Sequence, residues 1–146
     1  MAAKTIANEV VKTGDWIQEY RARFKDLFRQ MSVGGVSVKT ITFTFYEGKL
    51  GRVSTKPPAD RWDHLSRAFI DRYGKPTNDK TTIVKTRAGV THKNRELAWK
   101  RPGGHIWLER YSNTIDETSV VYMSDTALTH LEQETKRIRK KAAEDL

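Results

Sequence analysis

The side chains able to do chemistry are few and dispersed. Four histidines, His64, His92, His105 and His130, stand far apart, none at the i, i+3 or i, i+4 spacing that would place two imidazoles on one helix face. Cysteine is absent, which excludes disulfides, thiolate metal sites and cysteine nucleophiles together. Asp125 and His130 are close in sequence, but no serine in a nucleophile-elbow context accompanies them to complete a relay. The pairs Gly34-Gly35 and Gly103-Gly104 lack the Lys-Ser/Thr of a phosphate loop, so turn geometry accounts for both. The expectation is a non-enzymatic protein with no catalytic residue, no metal ligand and no cofactor.

Charge is the chemistry that remains. Twenty-seven Lys and Arg against eighteen Asp and Glu leave +9, which biases the chain toward anionic partners. The surplus is local. Residues 77–101 hold seven basic and two acidic side chains, whereas 102–123 hold one and three, and 124–146 hold five of each. Lys85, Arg87, Lys93, Arg95, Lys100 and Arg101 therefore form the candidate contact set for a nucleic acid, with Trp107 and Tyr111 close behind. Phosphates need cations and bases need flat surfaces to stack on. The plainer alternative is a solvated sheet edge whose charges prevent strand-to-strand aggregation. Parity separates the tryptophans. Trp99 shares a strand face with Leu97 and is expected inward; Trp107 shares one with His105, Glu109 and Tyr111, opposite Ile106 and Leu108, and is expected outward.

Periodicity supplies the elements that hold these residues. Ile6, Val10, Ile17, Tyr20, Phe24, Leu27, Phe28 and Met31 recur at helical steps, which predicts an N-terminal helical segment over 1–34, interrupted near Gly14 and restarted at Asp15. From Thr40 the period becomes two. Ile41, Phe43 and Phe45 alternate with threonines, Glu47-Gly48 turns the chain, and Lys49–Thr55 returns as a second strand. Leu50 and Val53 differ in parity, so a bulge at Gly51 is expected. Asp60 is read as the N-cap of a helix carrying Trp62, Leu65, Phe69 and Tyr73 and ending at Gly74-Lys75-Pro76. Four further strands are expected at 81–86, 95–101, 105–111 and 119–123. A C-terminal amphipathic helix over 124–146 follows, capped by Ser124 or Asp125. The sum is one α+β domain over 1–146, a mainly antiparallel sheet of about six strands with covering helices that bury Phe43, Phe45 and Trp99.

Gly35 before a strand ending Phe45-Tyr46-Glu47-Gly48-Lys49-Leu50, a helix ending Arg72-Tyr73-Gly74-Lys75-Pro76, and Trp99 within a strand read together. Over about 33–146 this pattern resembles the small α+β proteins of bacterial envelopes, often lipoproteins. The resemblance implies an envelope protein, whereas the charged N-terminal segment departs from it and implies a variant carried on a phage or mobile element. Met1–Val11 contains Lys4, Asn8 and Glu9, so no signal-peptide core is present, and no window approaches a membrane span. The expected location is cytoplasmic as written, or periplasmic if an export segment was removed. The leading function expected is an accessory or inhibitory module that occludes a protein partner through Trp107, Tyr111 and neighbouring basic residues. A nucleic-acid binder is the alternative, and the N-terminal stripe is a candidate surface for homo-oligomers.

Overall fold

A computed structural model of the chain describes Glu9–Thr13, Ile17–Arg23 and residues 31–144. In chain order the described residues form β1 (Glu9–Thr13), β2 (Ile17–Arg23), β3 (Met31–Val33), β4 (Val36–Val38), β5 (Thr40–Tyr46) and β6 (Lys49–Thr55). There follow a 3-10 turn (Ala59–Arg61), α1 (Trp62–Tyr73), β7 (Asn78–Lys85), β8 (Thr91–Arg101), β9 (Gly104–Glu109), β10 (Ser119–Ser124) and α2 (Asp125–Glu144). One antiparallel sheet runs β1-β2-β5-β6-β10-β9-β8-β7, and β3-β4 is a separate hairpin. The architecture is α+β, and the six strands expected from the sequence are all present.

The N-terminal helix is not. Residues 9–13 and 17–23 are two paired strands, with Glu9 opposite Arg21 and Thr13 opposite Gln18. The remainder of the expected helix lies outside the described residues, and an oligomer built on a helical stripe there loses its premise. Two local signals favour strands: the β-branched pair Val10-Val11, and the alternation of Tyr20 and Ala22 with Arg21 and Arg23. A third is tertiary. The free edge of β5 pairs with β2 over the full run from Ile17–Tyr46 to Arg23–Thr40, and a ladder of that length overrides helical spacing.

The two faces of the sheet are covered by different helices. On one, α1 and the β3-β4 hairpin bury Leu97, Trp99, Ile106, Leu108 and Val120 against Val36, Trp62, Leu65 and Phe69. Trp99 is 1% exposed, in agreement with its parity, and its indole Nε1 donates to the carbonyl of Gly74 at 2.8 Å. Gly74 ends α1, its own N–H donating to Ile70 O at 2.7 Å. At the other end Asp60 is not the cap. It lies inside the 3-10 turn, and no side chain caps α1. The turn forms because Ala59 N donates to Asp116 O and Thr118 N to Pro57 O, tying 57–59 to the segment leading into β10.

On the second face α2 covers Tyr46 and Met123 through Ala127, Leu128 and Leu131. Ser124 is its cap, accepting from Ala127 N at 3.1 Å. On β5 the buried side chains are Thr44 and Tyr46, while Phe43 and Phe45 are only half-buried. The expectation that both phenylalanines lie under helices is therefore corrected: α2 packs on the opposite face from them. The reason is alternation along β5: Thr44 shares the face of Met123 through Arg52, Tyr46 lies with it under α2, and Phe43 and Phe45 point to the other side. Thr44 pairs with Arg52 and Phe45 with Leu50, leaving Gly51 as the extra residue, and the Tyr46 ring occupies the space a side chain would need. A Cβ on Gly51 would lie 2.8 Å from that of Ala127 and closer still to the Tyr46 ring. Gly51→Ala is accordingly expected to lower stability by about 1–3 kcal/mol, read as a lower midpoint in equilibrium urea unfolding with an unchanged slope.

Candidate functional site

β7 and β8 outlast the rest of the sheet. β8 pairs with β9 only from Glu96 onward, while its pairing with β7 continues to Lys85–Thr91. The transition is made by side chains. Arg110 N donates to Arg95 O at 3.0 Å as the last backbone rung. Asn94, 2% exposed, then replaces the next rung with its amide: Oδ1 accepts from Tyr111 N at 2.9 Å, and Nδ2 donates to Glu109 Oε1 at 2.9 Å and to Tyr111 O at 3.3 Å. Beyond this point the chain after β9 turns away through Ser112 N and Glu117 O. Residues 82–94 continue as a two-stranded ribbon, its paired part about 13 Å long.

The ribbon is ordered to its tip. Thr86 N donates to Val90 O at 2.8 Å, Gly89 N to Thr86 O at 2.9 Å, and Val90 N to Thr86 Oγ1 at 3.1 Å. Ile83 is 63% exposed and Val90 54%. Lys80, Lys85, Arg87 and Lys93 are exposed, and among the described residues none of them is in an ion pair.

The structure distributes the other candidates less simply. Register places Lys85, Lys93, Arg95 and Arg101 on the α1 face and Lys100, Trp107 and Tyr111 on the α2 face. Of the six cations only Lys100 thus shares a strand face with Trp107 and Tyr111, because residues of unlike parity point oppositely. Arg95 is engaged at the ribbon base, its Nε and Nη2 donating to the two carboxylate oxygens of Asp79 at 2.9 and 2.7 Å. Arg101 lies over the Tyr73 ring, 5.8 Å from its centroid. Tyr111 is half-buried, with the His92 ring edge-on at 5.6 Å and the Arg110 guanidinium at 5.1 Å, so it buttresses the ribbon base.

Trp107 is half-buried on the α2 face, stacked on His105 with centroids 5.4 Å apart. It floors a trough of about 280 Å³ with Val121 and Met123, rimmed by Arg52, Glu96, Glu109 and Ser119. A second, more polar cavity of about 380 Å³ adjoins it through Arg52 and Ser119 and is lined also by Lys39, Thr42, Ser54 and Lys56. Glu96 and Glu109 face each other directly across β8 and β9.

The imidazoles do not assemble. Asp125 meets His105; Oδ1 and Nδ1 are 3.4 Å apart without the alignment of a hydrogen bond. The serine beside Asp125 in sequence, Ser124, is spent on the helix cap. Among the described residues no three His, Asp or Glu side chains gather as for a metal ion, and no helix is long and apolar enough to cross a membrane.

No family model, curated protein or solved structure matches the chain.

The contact set read from the sequence leaves out Lys80, a member of the same basic stretch that stands at the ribbon base opposite Glu96, and sequence reading missed the part of Asn94. The signal available for Asn94 was a polar residue in a strand two positions from Glu96, which is too weak to single out. The Arg95 hydrogen bonds hold the Asp79 carboxyl below its ordinary value of 3.8. A depressed carboxyl pKa contributes stability that is complete above the unfolded value and lost as pH falls through the folded one. Because both side chains are two-fifths exposed, Asp79→Asn should cost no more than about 1 kcal/mol at pH 7. The difference from the unmodified chain should shrink as pH falls below the ordinary carboxylate value, read in urea titrations at stepped pH.

Proposed function

We propose that the chain works by binding, and that the β7-β8 ribbon is its contact surface for a double-stranded nucleic acid. The observation that supports this reading is the set Lys85, Arg87 and Lys93, solvent-exposed and outside any ion pair among the described residues, on a projection of a chain of charge +9, with exposed Lys80 at its base. A two-stranded ribbon is narrow enough to enter a major groove, and each phosphate neutralised releases counterions. Lys85 and Lys93 share one ribbon face with exposed Ile83 between them, and Arg87 sits in the tip. The single-strand mode, in which bases stack on sheet aromatics, is less well supported, since Trp107 and Tyr111 lie on the other face and are occupied by His105, His92 and Arg110.

The Trp107 trough favours a second reading, a protein partner whose surface the chain occludes. An apolar floor of Trp107, Val121 and Met123 inside a rim of Arg52, Glu96 and Glu109 has the anatomy of a protein interface. Salt distinguishes the two readings.

Fluorescence anisotropy with a labelled duplex oligonucleotide tests the first. Binding should be measurable at 50 mM salt, with affinity falling steeply as salt rises. The double variant Arg87→Glu, Lys93→Glu should bind at least tenfold more weakly and lower the log–log salt slope by about 2, one unit per lost phosphate contact. No binding by the unmodified chain at low salt, or an unchanged slope in the double variant, would overturn the reading.

A further inference from the structure

β7 is the last strand of the sheet, with β8 on one side and no partner on the other among the described residues. Two observations fix which of its backbone groups are unspent. Arg110 N donates to Arg95 O, so the odd-numbered residues of β8 turn their hydrogen-bonding groups to β9 and the even-numbered ones to β7. Thr86 N donates to Val90 O, which gives the same parity from the tip. Asp79, Thr81, Ile83 and Lys85 therefore direct their N–H and C=O groups outward, four consecutive rungs available to another strand.

An antiparallel strand laid on this edge keeps the two faces of the sheet only if residues of like parity are opposed. We propose that this strand is β7 of a second copy of the chain, paired about a two-fold axis through Thr82. In that register Asp79 lies opposite Lys85 of the second copy, and Lys85 opposite its Asp79, so the symmetric edge is self-complementary in charge. Thr81 lies opposite Ile83 of the second copy, which covers a side chain now 63% exposed. Moving the axis to Thr81 sets Asp79 against Ile83 and Lys85 against Thr77, outside the strand. Moving it to Ile83 sets Lys85 against Thr81 and Asp79 against Arg87 in the tip turn. Only the axis through Thr82 opposes unlike charges within the strand.

The geometry already present suits that register. Asp79 is held on its face by Arg95, and each of its oxygens accepts one N–H and keeps capacity for another. Edge lysines ordinarily discourage pairing; here Lys85 is answered by Asp79, and Lys80 lies opposite Val84 of the second copy, which its aliphatic stem can cover. The inference goes beyond the nucleic-acid reading and does not depend on it, since Arg87 ends up in tip turns at opposite ends of the paired strands and Lys93, on β8 opposite Ile83, stays outside the β7–β7 seam.

Absence of cysteine makes a direct test clean. On the two-fold, Thr82 faces its own copy in a non-hydrogen-bonded pair, where Cα atoms are about 4.5 Å apart and a disulfide can close. Thr82→Cys should cross-link under mild oxidation at least tenfold faster than Thr81→Cys or Ile83→Cys, whose self-distances across the axis are longer. Sedimentation equilibrium of the unmodified chain without nucleic acid should show a concentration-dependent rise from 16.8 kDa toward twice that mass. Lys85→Glu, which sets two carboxylates opposite each other at both ends, should weaken association about tenfold or more. A chain that stays at 16.8 kDa to millimolar concentration, or a Thr82→Cys variant no faster than its neighbours, would overturn the pairing; an unaffected Lys85→Glu would overturn the register. Loss of nucleic-acid binding with self-association intact would overturn only the earlier reading.

Discussion

Burial of the Trp99 indole with its one polar atom satisfied is the constraint on which the rest of the molecule depends. An indole N–H taken out of water without an acceptor costs about 1–3 kcal/mol, and the acceptor here is the carbonyl of Gly74, at the very end of α1. That bond fixes how far along β8 the helix may sit, and the Phe69 and Tyr73 rings, 6.0 and 6.3 Å from Trp99, fix its rotation. With α1 seated, Gly34 of the β3-β4 hairpin comes against Leu65 and Ala68, and one face of the sheet is closed. Everything on β7 and β8 beyond Trp99 is then held from a rigid base.

Local chemistry made part of this legible. Period-two alternation over Ile41, Phe43 and Phe45, the Glu47-Gly48 turn with φ of 51° and 76°, and the parity clash between Leu50 and Val53 required a hairpin with a bulge at Gly51, and that is what forms. The inward placement of Trp99 followed from Leu97 in the same way. What was illegible depends on partners distant in sequence. The strands at 9–13 and 17–23 exist because β5 offers them an edge, and no window of that segment contains β5. Asp60 has the right side chain for a cap, yet the backbone of 57–59 is claimed by 116–118, some sixty residues later.

The candidate surface shows the same division. Composition located the cations within 77–101, but only register could distribute them between faces, and only the fold could say which were occupied. Arg95 and Arg101 are held by Asp79 and the Tyr73 ring, whereas Lys85, Arg87 and Lys93 stand on a ribbon free of the body. Trp107 and Tyr111, adjacent to the basic run in sequence, belong to the opposite face. Electrostatic reach and aromatic contact are therefore separate resources of this molecule, on separate surfaces.

The amide of Asn94 decides where sheet ends and ribbon begins, and it does so as one donor group and one acceptor in fixed order. Aspartate in its place would differ by a single heavy atom while turning a carboxylate oxygen toward the Glu109 carboxylate and the Tyr111 carbonyl. The reach of the projecting arm thus rests on the chemical integrity of one buried nitrogen, and hydrolysis of that amide would unfasten the arm at its root while leaving the hydrophobic interior untouched.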